Sequence, residues 1–407
     1  MITGNESNHG IGTQAGGRSW LLAAALLALL GTIGGACGGA DPAGPAGTGG
    51  GLGATTGGGG RSGGAGSGSC TEQPLFPLRG LGAGSNDLYR QIRLDEATGD
   101  LYFADLSELF VLRAGSSAPQ KLGDRGDAFW LAADTILFPG PIYNTSTLTV
   151  LSGMSRNGGA LTDLVTTPKA TSSNDHFEVG EVLAVGDDVI WIAREMHTNN
   201  PAALLPTWDR KTYYIRKTSW RSPGTPQVLY TGTRDLFGLV VGGSKLYVSE
   251  ETGDVDSNQY LGKIVDLAGG GAQPGTTDDR YGGVVVDADE ASVIVSREGD
   301  PTIPGQWGIY RLAPDGSGEA QVMRFPALLR GVFSLAHRNG TWVFTESPAL
   351  GEPDDVYAYS VAGGKRRLGC VSDNPPTNTF AVELGASSVF VSVLRNSMAA
   401  GILRYPL

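Results

Sequence analysis

The amino-acid sequence predicts an all-β protein, a seven-bladed β-propeller built from four-stranded antiparallel blades. Three observations predict this fold. An apolar strand motif recurs seven times, at a spacing of about fifty residues. Further short strand patterns flank each copy, separated by turns rich in Gly, Asn and Asp. Long amphipathic helical patterns are absent, and Val, Ile, Tyr, Phe, Trp and Thr dominate the periodic segments.

The second strand of each blade gives the clearest copies of the motif. They are residues 101–105, 135–139, 189–193, 245–249, 292–296, 341–345 and 388–392. A strand next to the propeller axis precedes each copy, at 88–94, 128–132, 181–185, 237–241, 283–287, 331–336 and 380–384. Third strands follow at 109–112, 148–151, 213–217, 262–267, 308–312, 356–361 and 401–405. We therefore expect each blade to run outward from the axis in chain order.

The seventh blade needs a fourth strand from elsewhere in the chain, because the sequence ends at Leu407, just after its third strand. Residues 74–79 precede the first complete blade and resemble the fourth strands at 120–122 and 227–230. We expect this N-terminal strand to pair beside the last blade, which closes the ring and covers an exposed sheet edge. Pro74 and Pro77 suit an outermost strand, where one side needs no ladder hydrogen bonds.

The repeat places Tyr or Trp in the second strand and a Gly-Gly turn before the fourth strand. In these features residues 70–407 resemble the exported bacterial propellers of the TolB-like and NHL-like type. The resemblance implies the propeller fold and a location outside the cytoplasm. It implies little about function, since propellers serve binding, scaffolding and several chemistries.

Residues 1–36 have the pattern of a signal peptide. Arg18 precedes an apolar stretch at 20–30 that is too short to span a bilayer as a helix, and small residues lead to Cys37. This resembles a bacterial lipoprotein signal, which implies a lipidated Cys37 and a membrane anchor in the cell envelope. Gly34 departs from that pattern, which prefers Leu at this position, and ordinary cleavage near Ala36 is the alternative.

Residues 37–69 are predicted to form a disordered linker after the lipidated cysteine. Half of residues 38–69 are Gly, so the segment buries too little apolar surface to fold. The propeller then spans 70–407 and contains Cys70 and Cys370. In an exported protein these two thiols tend to pair, which would join the start of the domain to its end. Two free thiols are the alternative.

The charge of the propeller argues against nucleic-acid binding. Residues 1–69 hold two acids and two bases, so the propeller carries the whole formal net charge of −11. Such a domain repels phosphate backbones, and no basic patch appears in the sequence.

One face of the propeller is predicted to carry the long loops, which join the second and third strands of the blades. Long, variable loops on a rigid scaffold are where binding residues concentrate. Second strands end on carboxylates at nearly one register, which predicts an electronegative ring that favours cationic ligands. Solvation of an acidic surface is the plainer alternative. The candidate ligand-binding residues are these carboxylates and two tryptophans: Asp105, Glu195, Glu250, Glu298, Glu346, Trp208 and Trp307.

A partial calcium-binding motif lies in one of these loops. Asp254, Asp256 and Asn258 have the spacing at which alternate oxygens face one hard cation. Gln259 and Val265 stand where an EF-hand requires Gly and Glu, so the motif predicts at most a looser Ca²⁺ site. A solvated turn is the alternative.

Catalytic signatures are scarce in the sequence. His176, His197 and His337 lack metal-ligand spacing, and a lone loop histidine near acids is most often a surface residue. We therefore favour a binding or scaffolding role at the cell envelope, with a protein, glycan or cation as ligand and no catalytic residues. The alternative is a metal-assisted hydrolase, lactonase or lyase with a carboxylate-held cation at the channel mouth.

Overall fold

The structure is a computed structural model. It describes residues 74–76, 79–80, 89, 91–105, 108–125, 128–140, 147–201, 208–251, 260–269, 272–274, 284–288, 292–297, 308–315, 317–324, 332–338, 340–346, 355–360, 362–371, 377–395 and 399–407.

The described chain forms 28 strands. In chain order they are β1 (Arg79–Gly80), β2 (Gln91–Asp95), β3 (Asp100–Ala104), β4 (Leu109–Leu112), β5 (Gln120–Gly123), β6 (Trp130–Leu131), β7 (Thr135–Pro139), β8 (Thr147–Ser155), β9 (Thr162–Pro168), β10 (Asp175–Val185), β11 (Asp188–His197), β12 (Arg210–Ser219), β13 (Gln227–Gly232), β14 (Leu236–Gly242), β15 (Lys245–Glu251), β16 (Tyr260–Asp266), β17 (Ala272–Pro274), β18 (Val284–Ala288), β19 (Val293–Arg297), β20 (Gly308–Leu312), β21 (Ala320–Arg324), β22 (Val332–Arg338), β23 (Thr341–Glu346), β24 (Asp355–Ser360), β25 (Gly364–Cys370), β26 (Thr377–Leu384), β27 (Ser388–Arg395) and β28 (Ala399–Pro406).

These strands form seven four-stranded antiparallel sheets, which confirms the predicted all-β, seven-bladed propeller. Blades 1 to 6 each take four consecutive strands, from β2–β5 to β22–β25. Blade 7 has the order β1-β28-β27-β26, so its outermost strand comes from the N-terminal side of the chain. Arg79 pairs with Ala400, and Pro74 forms a bridge with Leu403. The predicted ring closure is therefore confirmed.

The core of the propeller lies between the blades. The described residues form seven apolar clusters, and each cluster joins two consecutive blades, including blade 7 with blade 1. Second strands contribute the most buried residues; every residue of β3 is buried, as the apolar character of this strand predicts. Burial of apolar surface between blades is therefore the main force that holds the ring together.

Tight turns connect the first and second strands on one face of the ring, which we call the hairpin face. Gly186 and Gly340 occupy two of these turns with φ of 58° and 71°, a backbone region that residues with a Cβ seldom adopt. Both turns lie between the first and second strands that the sequence predicts. In blades 3 to 6 the second strand ends, and the third begins, at the opposite face, and 8 to 12 residues separate these two strands in the sequence; we call it the long-loop face.

Polar side chains on the first strand of a blade, the strand next to the axis, also form hydrogen bonds with the neighbouring blade. Gln91 on β2 accepts a hydrogen bond from the backbone N–H of Phe129, just before β6, at 2.6 Å. Glu383 on β26 accepts one from the N–H of Leu94 on β2 at 3.1 Å and pairs with Arg93 at 3.5 Å. These contacts satisfy backbone donors that face the next blade, where an unpaired donor would be costly.

Several predictions fall outside the described residues. These are the signal peptide at 1–36, Cys37, the linker at 37–69, and Cys70, the expected partner of Cys370 at the end of β25. They stay predictions. Within the part of the chain that the structure describes, no helix is long and apolar enough to cross a membrane.

Candidate ligand-binding site between blades 3 and 4

Blade 3 rises above the long-loop face. Its first strand, β10, contains 11 residues and its second strand, β11, contains 10. In blade 1 the corresponding strands, β2 and β3, contain five residues each. Their pairing runs without interruption from Val179 opposite Ala193 to Asp175 opposite His197. A rigid, projecting hairpin of this kind can hold side chains in fixed positions at the surface.

Arg194 is the central residue of the site. Its guanidinium lies 3.5 Å from Glu178 on the neighbouring strand and 3.1 Å from Asp235, in the connection that enters blade 4. The pairing of β10 with β11 places Glu178 directly opposite Arg194. All three side chains keep between 29% and 41% of their surface exposed, so this ion-pair bridge remains accessible from solvent.

Glu181 lies deeper on the same strand. Its carboxylate accepts hydrogen bonds from the backbone N–H groups of Gly238 at 2.6 Å and Leu239 at 3.0 Å, both in β14 of blade 4. Burial raises the pKa of Glu181 to about 7, although these hydrogen bonds and the charge of Arg194 act in the opposite direction. A carboxyl group that titrates near neutral pH is a recognised mark of a functional site.

The local backbone explains the two hydrogen bonds to Glu181. The pairing of β14 with β15 shifts register between Phe237 and Val240. Gly238 lies within this irregularity with φ of 72°. A β-bulge re-aims backbone groups that would otherwise join the ladder. Both N–H groups are thereby available to the acid of the neighbouring blade.

The pKa of Tyr213 on β12 depends on the charged groups of the site. Burial raises the pKa of its hydroxyl, and the nearby carboxylates of Asp235, Glu251 and Glu178 raise it further, while Arg194 lowers it. Three carboxylates therefore act on this position against one cation. We define the Arg194 site as Glu178, Glu181, Arg194, Tyr213 and Asp235.

An aromatic pair borders the Arg194 site. The rings of His176 and Trp208 are stacked, with centroids 5.4 Å apart and an interplanar angle of 26°. His176 also pairs with Glu178 at 3.2 Å, which links the stack to the carboxylates. The candidate residue Trp208 thus lies beside a site whose principal members sequence reasoning did not select.

Two other predicted carboxylates, Glu195 and Glu250, contact side chains on the strands of the propeller. Glu195 pairs with Arg216 on β12 at 2.6 Å. Glu250 is almost fully buried, accepts a hydrogen bond from the Tyr230 hydroxyl and lies 3.8 Å from Lys263. The residues that contact Glu195 and Glu250 therefore lie on the third strands β12 and β16 and on the fourth strand β13.

Asp105 contacts the backbone of the connection that follows β3. It is fully buried and accepts the backbone N–H of Glu108 at 2.6 Å. Glu346 ends β23, and nothing is described of its side chain. Glu298, Trp307, Asp254, Asp256 and Asn258 lie outside the described residues. The ligand-binding and Ca²⁺ predictions for all these residues stay predictions.

The hairpin face also carries ion pairs. There Asp100 pairs with Arg113 at 2.7 Å and Asp266 with Lys245 at 2.9 Å, while Arg221 lies 2.6 Å from Asp187 and 4.0 Å from Asp134. One base is therefore shared by two acids on both faces. The Arg194 site differs in that further carboxylates, those of Glu181 and Glu251, lie near members of the site, which favours the long-loop face as the side that receives a cationic ligand.

Two other features of the described residues give weaker candidates. A cavity of about 180 Å³ at blade 6 is lined by residues that include Thr341, Tyr359, Ser360, Arg366 and Leu407, and none of its lining residues has an acidic or imidazole side chain. No three His, Cys, Asp or Glu side chains among the described residues are grouped so that they could hold a metal ion. The Arg194 site is thus the best-supported candidate.

Comparison with known proteins finds only distant structural similarity. No protein-family model matches the chain, and no curated protein matches it. Among solved structures, the acylaminoacyl peptidase of Pyrococcus horikoshii is 10% identical with a TM-score of 0.46, covering 74% of this chain and 50% of the peptidase. The AfRom2 CNH domain is 10% identical with a TM-score of 0.43, covering 83% of this chain and 99% of that domain.

A chain of the mitotic checkpoint complex is similar to the same degree. It is 11% identical with a TM-score of 0.43, over 83% of this chain and 93% of that one. This chain spans half the length of the peptidase. Similarity at this level carries no argument about this chain.

Proposed function

We propose that this propeller is a binding module whose long-loop face takes up a cationic segment of a partner protein. The Arg194 site would receive an Arg or Lys side chain of the partner. The observation that carries this proposal is the bridge from Arg194 to Glu178 and Asp235, in which one guanidinium is shared by two accessible carboxylates. Carboxylates pair with guanidinium groups through strong, charge-assisted hydrogen bonds.

The surroundings of the bridge support the choice of ligand. Three carboxylates influence Tyr213 against the single charge of Arg194, so a second cation would offset an existing excess of negative charge. The stacked rings of His176 and Trp208 offer a flat apolar surface beside these acids. Aromatic faces attract Arg and Lys side chains. A neutral glycan would use the rings but would not require the carboxylates.

Binding of a fluorescent Arg-Gly-Arg peptide, measured by anisotropy, tests the proposal. We expect Glu178→Gln and Asp235→Asn each to weaken binding about tenfold, and added salt to weaken it further. Asp187→Asn on the hairpin face is the matched control, because it also removes one negative charge from an ion-paired acid, and it should leave binding within about twofold. Equal affinity for a Glu-Gly-Glu peptide, or no binding by the wild-type protein, would contradict the proposal.

We also propose that the propeller is exported and anchored to the cell envelope through a lipid on Cys37. The support is the charged and apolar pattern of residues 18–30, the small residues before Cys37 and the Gly-rich segment after it. Mass spectrometry of the N-terminal peptide from a bacterial membrane fraction tests this. A mature N-terminus without a lipid on Cys37 would contradict the anchor, and the signal-peptide prediction would then stand alone.

A further inference from the structure

The first strand of blade 3 extends further toward the long-loop face than that of blade 4. Glu181 on β10 contacts Gly238 and Leu239 on β14, which fixes how the two strands lie side by side. From this contact β10 continues for six residues toward the long-loop face, whereas β14 continues for two residues from Gly238. At about 3.3 Å per residue, β10 therefore extends roughly 13 Å further than β14 does.

We call Asp175–Val179 the projecting edge. β10 lies at one end of its four-stranded sheet, and β11 is the only strand that pairs with it among the described residues. In an edge strand, alternate backbone N–H and C=O groups point away from the partner strand. The side chains are accessible as well, since His176 keeps 47% of its surface exposed, Glu178 41% and Asp175 40%. The described part of the chain thus leaves this edge open to a further strand.

Side chains on the projecting edge alternate between the two faces of the sheet. His176 and Glu178 lie on the face of the Arg194 site, since Glu178 pairs with Arg194 and His176 pairs with Glu178. Phe177, between them, points to the opposite face. Trp208 stacks on His176, so this face presents a carboxylate and an aromatic pair at positions about 7 Å apart along the strand.

We propose that the cationic segment binds as an added β-strand along the projecting edge, with its Arg or Lys residues two positions apart. Its backbone hydrogen-bonds to the outward-facing groups of β10, while alternate side chains reach Glu178 and the pair of His176 and Trp208. In strand addition of this kind, main-chain hydrogen bonds give affinity and alternate side chains give specificity. The inference rests on the proposed function, because it names the conformation and residue spacing of the ligand at the same site.

The charges on the two faces explain the spacing. On the face of the Arg194 site, three carboxylates act on Tyr213 against one cation. On the opposite face, the charges that act on the neighbouring Tyr214 are one carboxylate and two arginines, Arg210 and Arg216. Of two adjacent cations on an added strand, one would face these arginines, and like charges on one face of a sheet are unfavourable. Cations two positions apart both face the carboxylates.

Two pentapeptides of equal composition, Thr-Arg-Val-Arg-Thr and Thr-Arg-Arg-Val-Thr, test the spacing when both are labelled and their binding is measured by anisotropy. We expect the peptide with alternate arginines to bind about fivefold more tightly. In Glu178→Gln this preference should fall below about twofold, whereas Asp187→Asn on the hairpin face should retain it. Equal melting temperatures would show that both variants are folded. Equal affinity of the wild-type protein for the two peptides overturns the inference.

Backbone N-methylation of Thr-Arg-Val-Arg-Thr tests the added strand itself, because it removes one N–H donor at a time and leaves the side chains unchanged. Amides that face β10 alternate with amides that face away from it. Methylation should therefore weaken binding about tenfold at alternate positions and less than about twofold at the positions between them. An equal effect at every position, or no effect at any, overturns the inference.

The outcomes separate this inference from the proposed function. If the Arg-Gly-Arg peptide binds and needs Glu178 and Asp235, but neither the spacing preference nor the alternation is found, the proposed function stands and the inference is overturned. If the wild-type protein binds none of these cationic peptides, both are overturned.

Discussion

Asp287 on the inner strand of blade 5 is hydrogen-bonded to Nδ1 of His337 on the inner strand of blade 6. The imidazole is also stacked on the ring of Trp342, with centroids 4.6 Å apart. Asp287 is almost fully buried, so this pair joins the two blades in a region shielded from water. It is the counterpart, elsewhere in the ring, of the contacts made by Gln91, Glu181 and Glu383.

Removal of the Asp287 carboxylate should destabilise the propeller. Asp287→Ala leaves His337 without this partner, and we expect a loss of about 2 kcal/mol in the free energy of unfolding. Asp287→Asn keeps an acceptor for the imidazole and should cost clearly less. Urea unfolding monitored by tryptophan fluorescence measures both variants. Equal unfolding midpoints for Asp287→Ala and the wild-type protein would contradict this prediction.

Glu181→Gln should change stability in a pH-dependent manner. The pKa of Glu181 is about 7 in the folded protein, above its ordinary value of 4.5. The folded state therefore holds this proton more tightly than the unfolded chain does. The resulting stabilisation is fully present below about pH 4.5 and is lost as the pH rises through about 7.

Thermal melting at two pH values tests this prediction. At pH 8 we expect Glu181→Gln to melt about 3 °C above the wild-type protein, because the variant buries no charge. At pH 4.5 the two proteins should agree within about 1 °C. A constant difference across this pH range would show that Glu181 does not titrate as described.

Gly238→Ala should strain the contact between blades 3 and 4. Gly238 has φ of 72°, where a Cβ costs about 1 kcal/mol, and its N–H is the nearer of the two donors to Glu181. Gly238→Asn is the control, since Asn tolerates this conformation better than Ala does. Hydrogen exchange of β14 should be faster in Gly238→Ala than in Gly238→Asn. The reverse order would contradict the conformational argument.

Removal of Arg194 should increase affinity for a cationic ligand. Arg194→Gln releases Glu178 and Asp235 from their shared base, so both carboxylates become available to the Arg-Gly-Arg peptide. We expect binding about fivefold tighter than in the wild-type protein, with a steeper dependence on salt. Since the bridge is exposed, stability should change by less than about 1 kcal/mol. Weaker binding would mean that Arg194 itself contacts the ligand.

The Ca²⁺ prediction is tested by melting with calcium and with a chelator. If Asp254, Asp256 and Asn258 bind Ca²⁺, the melting temperature of the wild-type protein rises with calcium, because a ligand that binds only the folded state stabilises it. The double variant Asp254→Ala, Asp256→Ala should lose this increase. Identical melting curves with and without calcium would contradict the site.

The sequence determined the architecture because a propeller is a local repeat. The alternation and length of apolar segments encode which residues of a single blade are buried, and these patterns are read over a few residues at a time. The strands at 109–112 and 308–312 were predicted with the bounds that the structure has. Closure by residues 74–79 followed from counting strands and from the cost of an open sheet edge.

Only the tertiary structure revealed the Arg194 site. Glu178, Arg194 and Asp235 come from three separate elements, and the packing of blade 3 against blade 4 brings them together. The sequence instead favoured carboxylates such as Asp105 and Glu250, whose regular register does not show which groups of the fold contact them. The raised pKa of Glu181 likewise depends on burial by a neighbouring blade. Contacts between blades depend on distances that local periodicity does not encode, so the sequence predicts the fold without predicting these contacts.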